Sequence, residues 1–442
     1  ASALKFFLNT VKARLEFYRQ IDMPRIVMKF GGTSVANLER IRHVSRLVEA
    51  EAKAGNEVAV VVSAMSGETN RLVALVDALG ADTLEQGHTL GGTIDDEYDS
   101  IVASGEQVTS GLLAIALRRR GLKARSWLGW QIPLRTDFAY SKARISGIQS
   151  PNMDASLKDG VIGVCAGFQG LTEDDRISTL GRGGSDTSAV ALAVALKADR
   201  CDIYTDVDGI YTTDPRIVPD AARLEKISFE EMLELASLGA KVLQTRSVEL
   251  AMNNNLPIRV LTSMAEDGAQ NPGTIVCNEE ETMEERVVSG VAYSRDEAQI
   301  TLLRLADRPG IIARITRAMS EANIIVDMIV QGISSKDDAA NMTFTVGKRD
   351  VERALATLEA AKDEIGFEGV KYDDKVSKVS IVGIGMRSHT GVAQTMFEAL
   401  AERNINVKVI ATSEIKISVL IDSEYTELAV RALHGAFELQ NA

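Results

Sequence analysis

Cysteine is scarce in this chain. Three occur in 442 residues, Cys165, Cys201 and Cys277, far apart and without C-x-x-C spacing. They read as reduced, mostly buried residues of a cytoplasmic protein rather than as a disulfide framework. Histidine is as thin: His43, His88, His389 and His434 are scattered, which argues against a zinc centre. No uncharged apolar run approaches the roughly 18–20 residues that a membrane span needs. Positive charge is also short, and a net charge of −13 disfavours a general nucleic-acid binder while leaving room for a local basic pocket. Two phosphate signatures are missing. There is no G-x-x-x-x-G-K-[ST] loop and no strand–G-x-G-x-x-G–helix unit, and "GIGMRS" at 383 lacks the third glycine. The aspartates of "YTDVDGIYTTDPR" lack the EF-hand spacing and its terminal glutamate, which discounts calcium.

A chain of this length exceeds one core of about 250–300 residues and predicts two or three domains. From Arg25 to Leu261, apolar strand candidates ("RIVMKF", "EVAVVVSAM", "KARSWL", "GVIGVCAGF", "CDIYTDV", "IRVLTS") alternate with amphipathic helices over 37–54, 104–120, 185–197 and 228–238. Unbroken apolar strands separated by helices imply a mostly parallel sheet covered on both faces. Ligands in such folds gather at the carboxyl ends of the strands, where "GGTS", "SAMSGETN", "GFQG" and "TDVDGIYTTDPR" fall. Past residue 264 a polar, acidic stretch reads as a connection. Beyond it the chain repeats: "DRPGIIARITRAMSEANIIVDMI" (307–329) aligns with "SHTGVAQTMFEALAERNINVKVI" (388–410) at an offset of about 81. Each copy predicts a strand, a glycine turn, a one-faced helix (Ile312, Ile315, Met319; Val392, Met396, Leu400) and another strand, which favours a paired regulatory module. The expected division is an N-terminal extension over 1–22, a catalytic domain over 23–262, a connection over 263–296, and two regulatory units over 297–371 and 372–442. Residues 1–22 carry apolar side chains at helical spacing (Leu4, Leu8, Val11, Leu15, Tyr18) but no secretory pattern. They read as an extension upstream of Met23, or else as a docking helix.

Four segments carry chemistry. In "KFGGTS" (29–34) glycines between strand and helix let backbone N–H groups approach phosphate, and Lys29 at the strand end would neutralise the transferring group. The plain alternative is a βα turn. In "TLGRGGSDTSAVALAVAL" (179–196) Arg182 is held among three glycines, and its planar fork suits a carboxylate. In "ASGEQVTSGLLAIAL" Glu106 opens an apolar helix. The helix dipole alone would explain it, and a substrate amino group would give it a partner. In "YTDVDGIYTTDPR" hydroxyls, Tyr211 and Arg216 around a strand end suit a nucleotide.

Together with "SAMSGETN" and "GAKVLQTRSVE", these segments resemble the aspartate kinases of the amino-acid kinase superfamily, and the tail resembles their paired ACT domains. The resemblance runs from about Met23 to the C-terminus. It implies an α/β fold: an αβα sandwich with a mostly parallel sheet, followed by two ferredoxin-like βαββαβ ACT domains. It implies ATP with Mg²⁺ and L-aspartate as substrates, without a protein metal site. Carried over residue by residue, the nucleotide phosphates fall to Lys29, Phe30, Gly31, Gly32 and Ser63. The base and ribose fall to Thr205, Asp206, Tyr211, Arg216, Lys241 and Val242. Aspartate falls to Thr69, Glu106, Thr136, Asp137, Arg182, Gly183, Gly184 and Ser185. Lys29, Arg182 and Asp186 form the implied catalytic set, with Asp186 orienting either Lys29 or the metal. Lysine, threonine or both are the implied effectors. They would bind at Asp307, Arg308, Pro309, Gly310, Ile311, Asn323, Ile324 and Asp327, and at Ser388, Gly391, Asn404, Ile405, Asn406 and Val407. For Asn323 and Asn404 a simple turn role stands beside the binding one. ACT pairing implies at least a dimer, with an α₂β₂ assembly containing an internally started subunit as a variant. Rivals are a glutamate or acetylglutamate kinase, and a catalytically silent amino-acid sensor.

Overall fold

The computed structural model describes residues 23–81, 94–239, 242–265, 272–281, 286–306, 308–333 and 339–441. The helix expected over 1–22, together with His88, Lys241 and Asp307, lies outside them. Two compact units form. One runs to Gly209 and resumes over Arg246–Asn278; the other comprises Ile210–Thr245 and the chain from Glu279.

In the first unit, β1 (Arg25–Phe30) leads through α1 (Leu38–Lys53) to β2 (Glu57–Val62), and then come α2 (Glu68–Ala81), α3 (Asp95–Val102) and α4 (Ser104–Arg119). There follow β3 (Ala124–Trp127), β4 (Leu134–Thr136), β5 (Ile145–Ile148), α5 (Pro151–Lys158), β6 (Ile162–Ala166), β7 (Gln169–Leu171), β8 (Ile177–Thr179), α6 (Gly184–Ala195) and β9 (Arg200–Thr205). The chain makes β10 (Lys226–Ser228) and α7 (Phe229–Ser237) in the second unit. It returns for α8 (Thr245–Asn253), β11 (Ile258–Thr262) and β12 (Thr274–Cys277).

Strands of this unit lie in the order β12-β11-β9-β1-β2-β6-β3, all parallel except β12. The continuous apolar runs are the cause: Ile26, Val27, Met28 and Phe30 are fully buried, as only an interior strand with both faces covered requires. On one face Val44, Val48, Leu113 and Leu117 from α1 and α4 complete the core. Side by side, β1 and β2 bring Lys29 level with Val61 and Phe30 level with Val62, so their ends open at one edge. A second sheet, β5-β4-β7-β8, was not expected. Its strand β7 passes through the "GFQG" segment expected to be a ligand loop.

The second unit adds β13 (Gly290–Ala306), α9 (Ile311–Glu321), β14 (Asp327–Ile333), β15 (Ala339–Val346), α10 (Val351–Ala360), α11 (Lys362–Ile365) and β16 (Gly369–Val382). After these come α12 (Val392–Glu402), β17 (Val409–Thr412), β18 (Lys416–Asp422) and α13 (Thr426–Ala436). The sheet runs β14-β15-β13-β16-β18-β17. One ACT unit runs βαββαβ in chain order, the other runs βαββα, and the two share strands. The later half of β13 pairs with β15 and with the start of β16, whereas its first half, Gly290–Ser294, pairs with Val382–Lys378. The second unit therefore takes its fourth strand from upstream of the first, and the expected segment 372–442 holds only three of its own.

Two further expectations change. Ile312 is exposed, and the buried stripe of α9 is Ile311, Ile315 and Met319. Ile210–Thr245, counted with the catalytic block, instead packs with the tail. Ile217, Val218 and Ala221 share a core with Val291, Val379 and Met396. In that same unit Glu231 completes a capping box with Ser228 and accepts hydrogen bonds from Ser289 Oγ (2.6 Å) and Ile384 N (3.0 Å).

Candidate active site

Where β1 ends, Lys29 Nζ meets Asp186 Oδ1 at 2.5 Å, with both side chains nearly buried. Asp186 comes from the first turn of α6, whose preceding residue Gly183 has φ +71, a left-handed conformation that glycine adopts without strain. The same turn buries Ser185 and leaves Arg182 exposed, with no ion pair among the described residues. Beside Lys29 the backbone leaves a cradle. A Cβ on Gly31 would come within 3.3 Å of Lys29 Nζ, and one on Gly32 within 3.2 Å of Ala64 O. Phe30 contributes only backbone there, since its ring is fully buried and stacked on Tyr204 at 4.6 Å.

A cleft of about 420 Å³ opens beside this cradle, with Gly32, Ser63, Thr69 and Glu106 on its wall. Glu106 is 3% exposed. One oxygen accepts from Ala64 N at 3.0 Å, and the other, also buried, has no hydrogen-bond partner. Burial pushes the Glu106 carboxyl up to about 7, against the pull of its backbone hydrogen bonds. A buried acid with one unmatched oxygen on a cleft wall is poised for a cationic ligand group. Ser66 and Asn70 line the same cleft. Both stand in "SAMSGETN", yet the motif alone gave no reason to single them out.

Other expected substrate residues have local partners. Thr136 is buried and shares a 2.6 Å hydrogen bond with Ser178. Asp137 is exposed and spends one oxygen on Ala139 N (3.2 Å) and Arg144 N (2.9 Å) of its own loop. On the nucleotide side, Thr205 Oγ1 donates to Asp206 Oδ1 at 3.1 Å. A cluster missed in the sequence adjoins Thr205. Ser263 donates its N–H to Thr205 O (2.8 Å), Ser34 Oγ donates to Ser263 Oγ (2.7 Å), and Arg40 donates to Ser263 O (2.5 Å). Both serines end segments already picked out, "KFGGTS" and "IRVLTS". Tyr211, Arg216 and Val242 belong to the second unit. There Arg216 is bound twice by Asp214, at 2.8 and 3.0 Å, and Tyr211 bridges to Arg223.

In the regulatory unit the two copies superimpose in backbone detail. Gly310 and Gly391 have φ +95 and +94, and Asn323 and Asn404 have φ +53 and +55. Each asparagine ends its helix in the left-handed region that favours asparagine, so its turn role is visible. Ile311, Ile324 and Ile405 are buried. Arg308, Pro309, Ser388 and Asn406 are exposed, and Val407 is half-buried. Asp327 accepts from Lys378 Nζ at 2.7 Å, and that buried ammonium also meets Glu297 at 2.9 Å.

The sequence profile of the amino acid kinase family matches residues 24–262, and ACT-domain profiles match residues 300–363 and 379–437. An aspartate kinase of Pseudomonas putida is 53% identical over 418 residues, which cover 94% of this chain and 98% of that protein. The chain belongs to the aspartate kinase family. An aspartokinase of Mycolicibacterium smegmatis is 46% identical over 94% of this chain and 97% of its own. Among solved structures, E. coli aspartokinase III in complex with aspartate and ADP matches with a TM-score of 0.72 at 27% identity, over 93% of this chain and 99% of that one. Membership makes the chain a kinase, with the amino-acid kinase sheet followed by paired ACT domains, as the resemblance implied.

Proposed function

We propose that the enzyme transfers the γ-phosphoryl group of ATP to the β-carboxylate of L-aspartate, giving 4-phospho-L-aspartate and ADP. This is the entry step to lysine, threonine and methionine synthesis. One observation carries the reading: the nearly buried Lys29–Asp186 pair beside the Gly31–Gly32 cradle. The nucleophile needs no general base, because a side-chain carboxylate of pKa about 3.9 is already ionised at pH 7. What it needs is relief from anion–anion repulsion and alignment. Lys29, oriented by Asp186, supplies the first on the phosphate side. Arg182 takes a substrate carboxylate, and the unmatched oxygen of Glu106 takes the α-ammonium.

Mg²⁺ is commonly held by substrate phosphates with one or two carboxylates, and Asp186 would be such a carboxylate here. When bound, Mg²⁺ supplies further charge neutralisation on the phosphates. A coupled ADP-release assay with aspartate, glutamate and acetylglutamate tests the assignment. Turnover should depend on aspartate; preference for either alternative, or no turnover, would overturn it.

For the tail we infer feedback by lysine, threonine or both. Aspartokinase III of E. coli has been solved with lysine and aspartate in its T-state, matching this chain with a TM-score of 0.70 at 27% identity. An effector acts only through unequal affinity for two states, and the coupling is reciprocal. Lysine or threonine should therefore bind more weakly by calorimetry when aspartate and nucleotide are present. Identical affinities in both conditions would remove the coupling. Pairing of ACT units between copies makes at least a dimer the working assembly, with α₂β₂ as the variant to test by mass measurement.

A further inference from the structure

Asp99, on α3, is completely buried, yet its carboxylate has no ion-pair partner among the described residues. Four donors surround it instead. Oδ2 accepts from Thr179 N (2.6 Å) and Ser141 N (2.9 Å), and Oδ1 accepts from Thr179 Oγ1 (2.8 Å) and Ser141 Oγ (3.2 Å). The two residues it joins are 38 apart in the chain, from the segment after β4 and from the end of β8. Thr179 opens the "TLGRGGSD" run that carries Arg182 and Asp186, and Ser141 lies four residues beyond Asp137. Ser141 is itself held at φ +63, which is costly for a non-glycine residue. The segments touch closely, since a Cβ on Gly181 would lie 3.0 Å from Ser141 O. Arg246 ties the same two strands of chain, donating to Leu180 O (3.2 Å) and Ala143 O (2.9 Å).

A buried carboxylate costs several kcal/mol unless its lone pairs are matched, so one placed here with four donors is a strong fastener. We propose that Asp99 and Arg246 are positioning residues for the amino-acid substrate. They clamp the 137–144 segment onto the Leu180–Asp186 turn, so that Arg182 is presented in order before aspartate arrives. The inference rests on the aspartate reading above. Neither residue touches substrate; each acts through the backbone that carries Arg182. Loosening the clamp makes binding supply the ordering, and this weakens the apparent affinity for aspartate.

The test is steady-state kinetics on Asp99→Asn and Thr179→Val in the full chain. Asparagine removes the charge: its oxygen can still face the two N–H donors while its NH₂ turns to the two hydroxyls, so charge-assisted bonds become neutral ones, whereas valine removes one hydroxyl and keeps the backbone donor. For Asp99→Asn the aspartate KM should rise about tenfold or more, the scale of a lost charge-assisted hydrogen bond. The ATP KM should stay within about twofold and kcat should change far less than the aspartate KM, the split that marks lost substrate binding. Thr179→Val should move the aspartate KM the same way by a smaller factor, and it carries the test alone if Asp99→Asn does not fold. Both KM values rising together, or an unchanged aspartate KM, would overturn the proposal. Wild-type enzyme without aspartate-dependent turnover would instead overturn the underlying reading, so the two failures are distinct.

Discussion

Lys29→Ala should lower kcat by about 10²–10³-fold, the loss of some 3–4 kcal/mol that follows removal of one preorganised electrostatic donor. The aspartate KM should move far less, because the ammonium acts on charge that develops during transfer rather than on substrate binding. The structure adds a second effect. Lys29 and Asp186 are 12% and 10% exposed at the side chain, and removing one member of so buried a pair leaves the other charge uncompensated. Melting should therefore be followed beside the kinetics. Asp186→Asn separates the two contributions, since it keeps the cation and removes its orienting partner. It should depress kcat less than Lys29→Ala does. Initial rates at saturating ATP and aspartate decide the matter, and an unchanged kcat in Lys29→Ala would take this lysine out of the mechanism.

The second large effect concerns pH. Folding raises the Glu106 carboxyl from an ordinary 4.5 to about 7, chiefly by burial. The folded state thus holds the proton more tightly than the unfolded chain between those values. Stability linked to this group is fully present below about pH 4.5 and is lost as pH rises through 7. Above that, the ionised, half-satisfied carboxylate costs on the order of 3 kcal/mol. Glu106→Gln keeps an acceptor for Ala64 N and removes the charge. Its stability advantage over wild type should grow by about 2 kcal/mol between pH 5 and pH 8 in urea unfolding. The same variant should raise the aspartate KM, because an amide offers no charge to the α-ammonium. An advantage that does not change with pH would show that the carboxyl is not held neutral by its surroundings. Gained stability with lost affinity is the expected signature of a group kept for function.

Much of this was legible in the chain. Five of the six strand candidates were readable because interior parallel strands are apolar on both faces; the sixth, β3, is an edge strand with Arg125 exposed. Lys29 and Gly31 stood out because a lysine and paired glycines at a strand end suit a phosphate, with a plain βα turn as the alternative, whereas a role for Asp186 came only with the family resemblance. The β5-β4-β7-β8 sheet was not, since "LRT", "ISGI", "QGL" and "IST" are short, and two of them contain glycine. Asp99 was invisible for a different reason. It is one of three aspartates in "DDEYDSIV", and only the tertiary fold decides which one turns inward. Ile311 was recoverable. Subtracting the repeat offset of 81 from Val392, Met396 and Leu400 gives 311, 315 and 319, the stripe that is buried. The placement of Ile210–Thr245 could not be read from local pattern, because its apolar residues suit either core.

The crossed β13 strand makes the border between kinase and regulator a matter of topology rather than of sequence position. A regulatory fragment started at residue 297 would leave the edge of β16 bare from Lys378 to Val382, a row of unpaired N–H and C=O groups inviting self-association. Any version of the tail that lives as a separate polypeptide must begin ahead of Gly290. Within the whole chain the sharing of β13 prevents either ACT unit from melting without disturbing its twin.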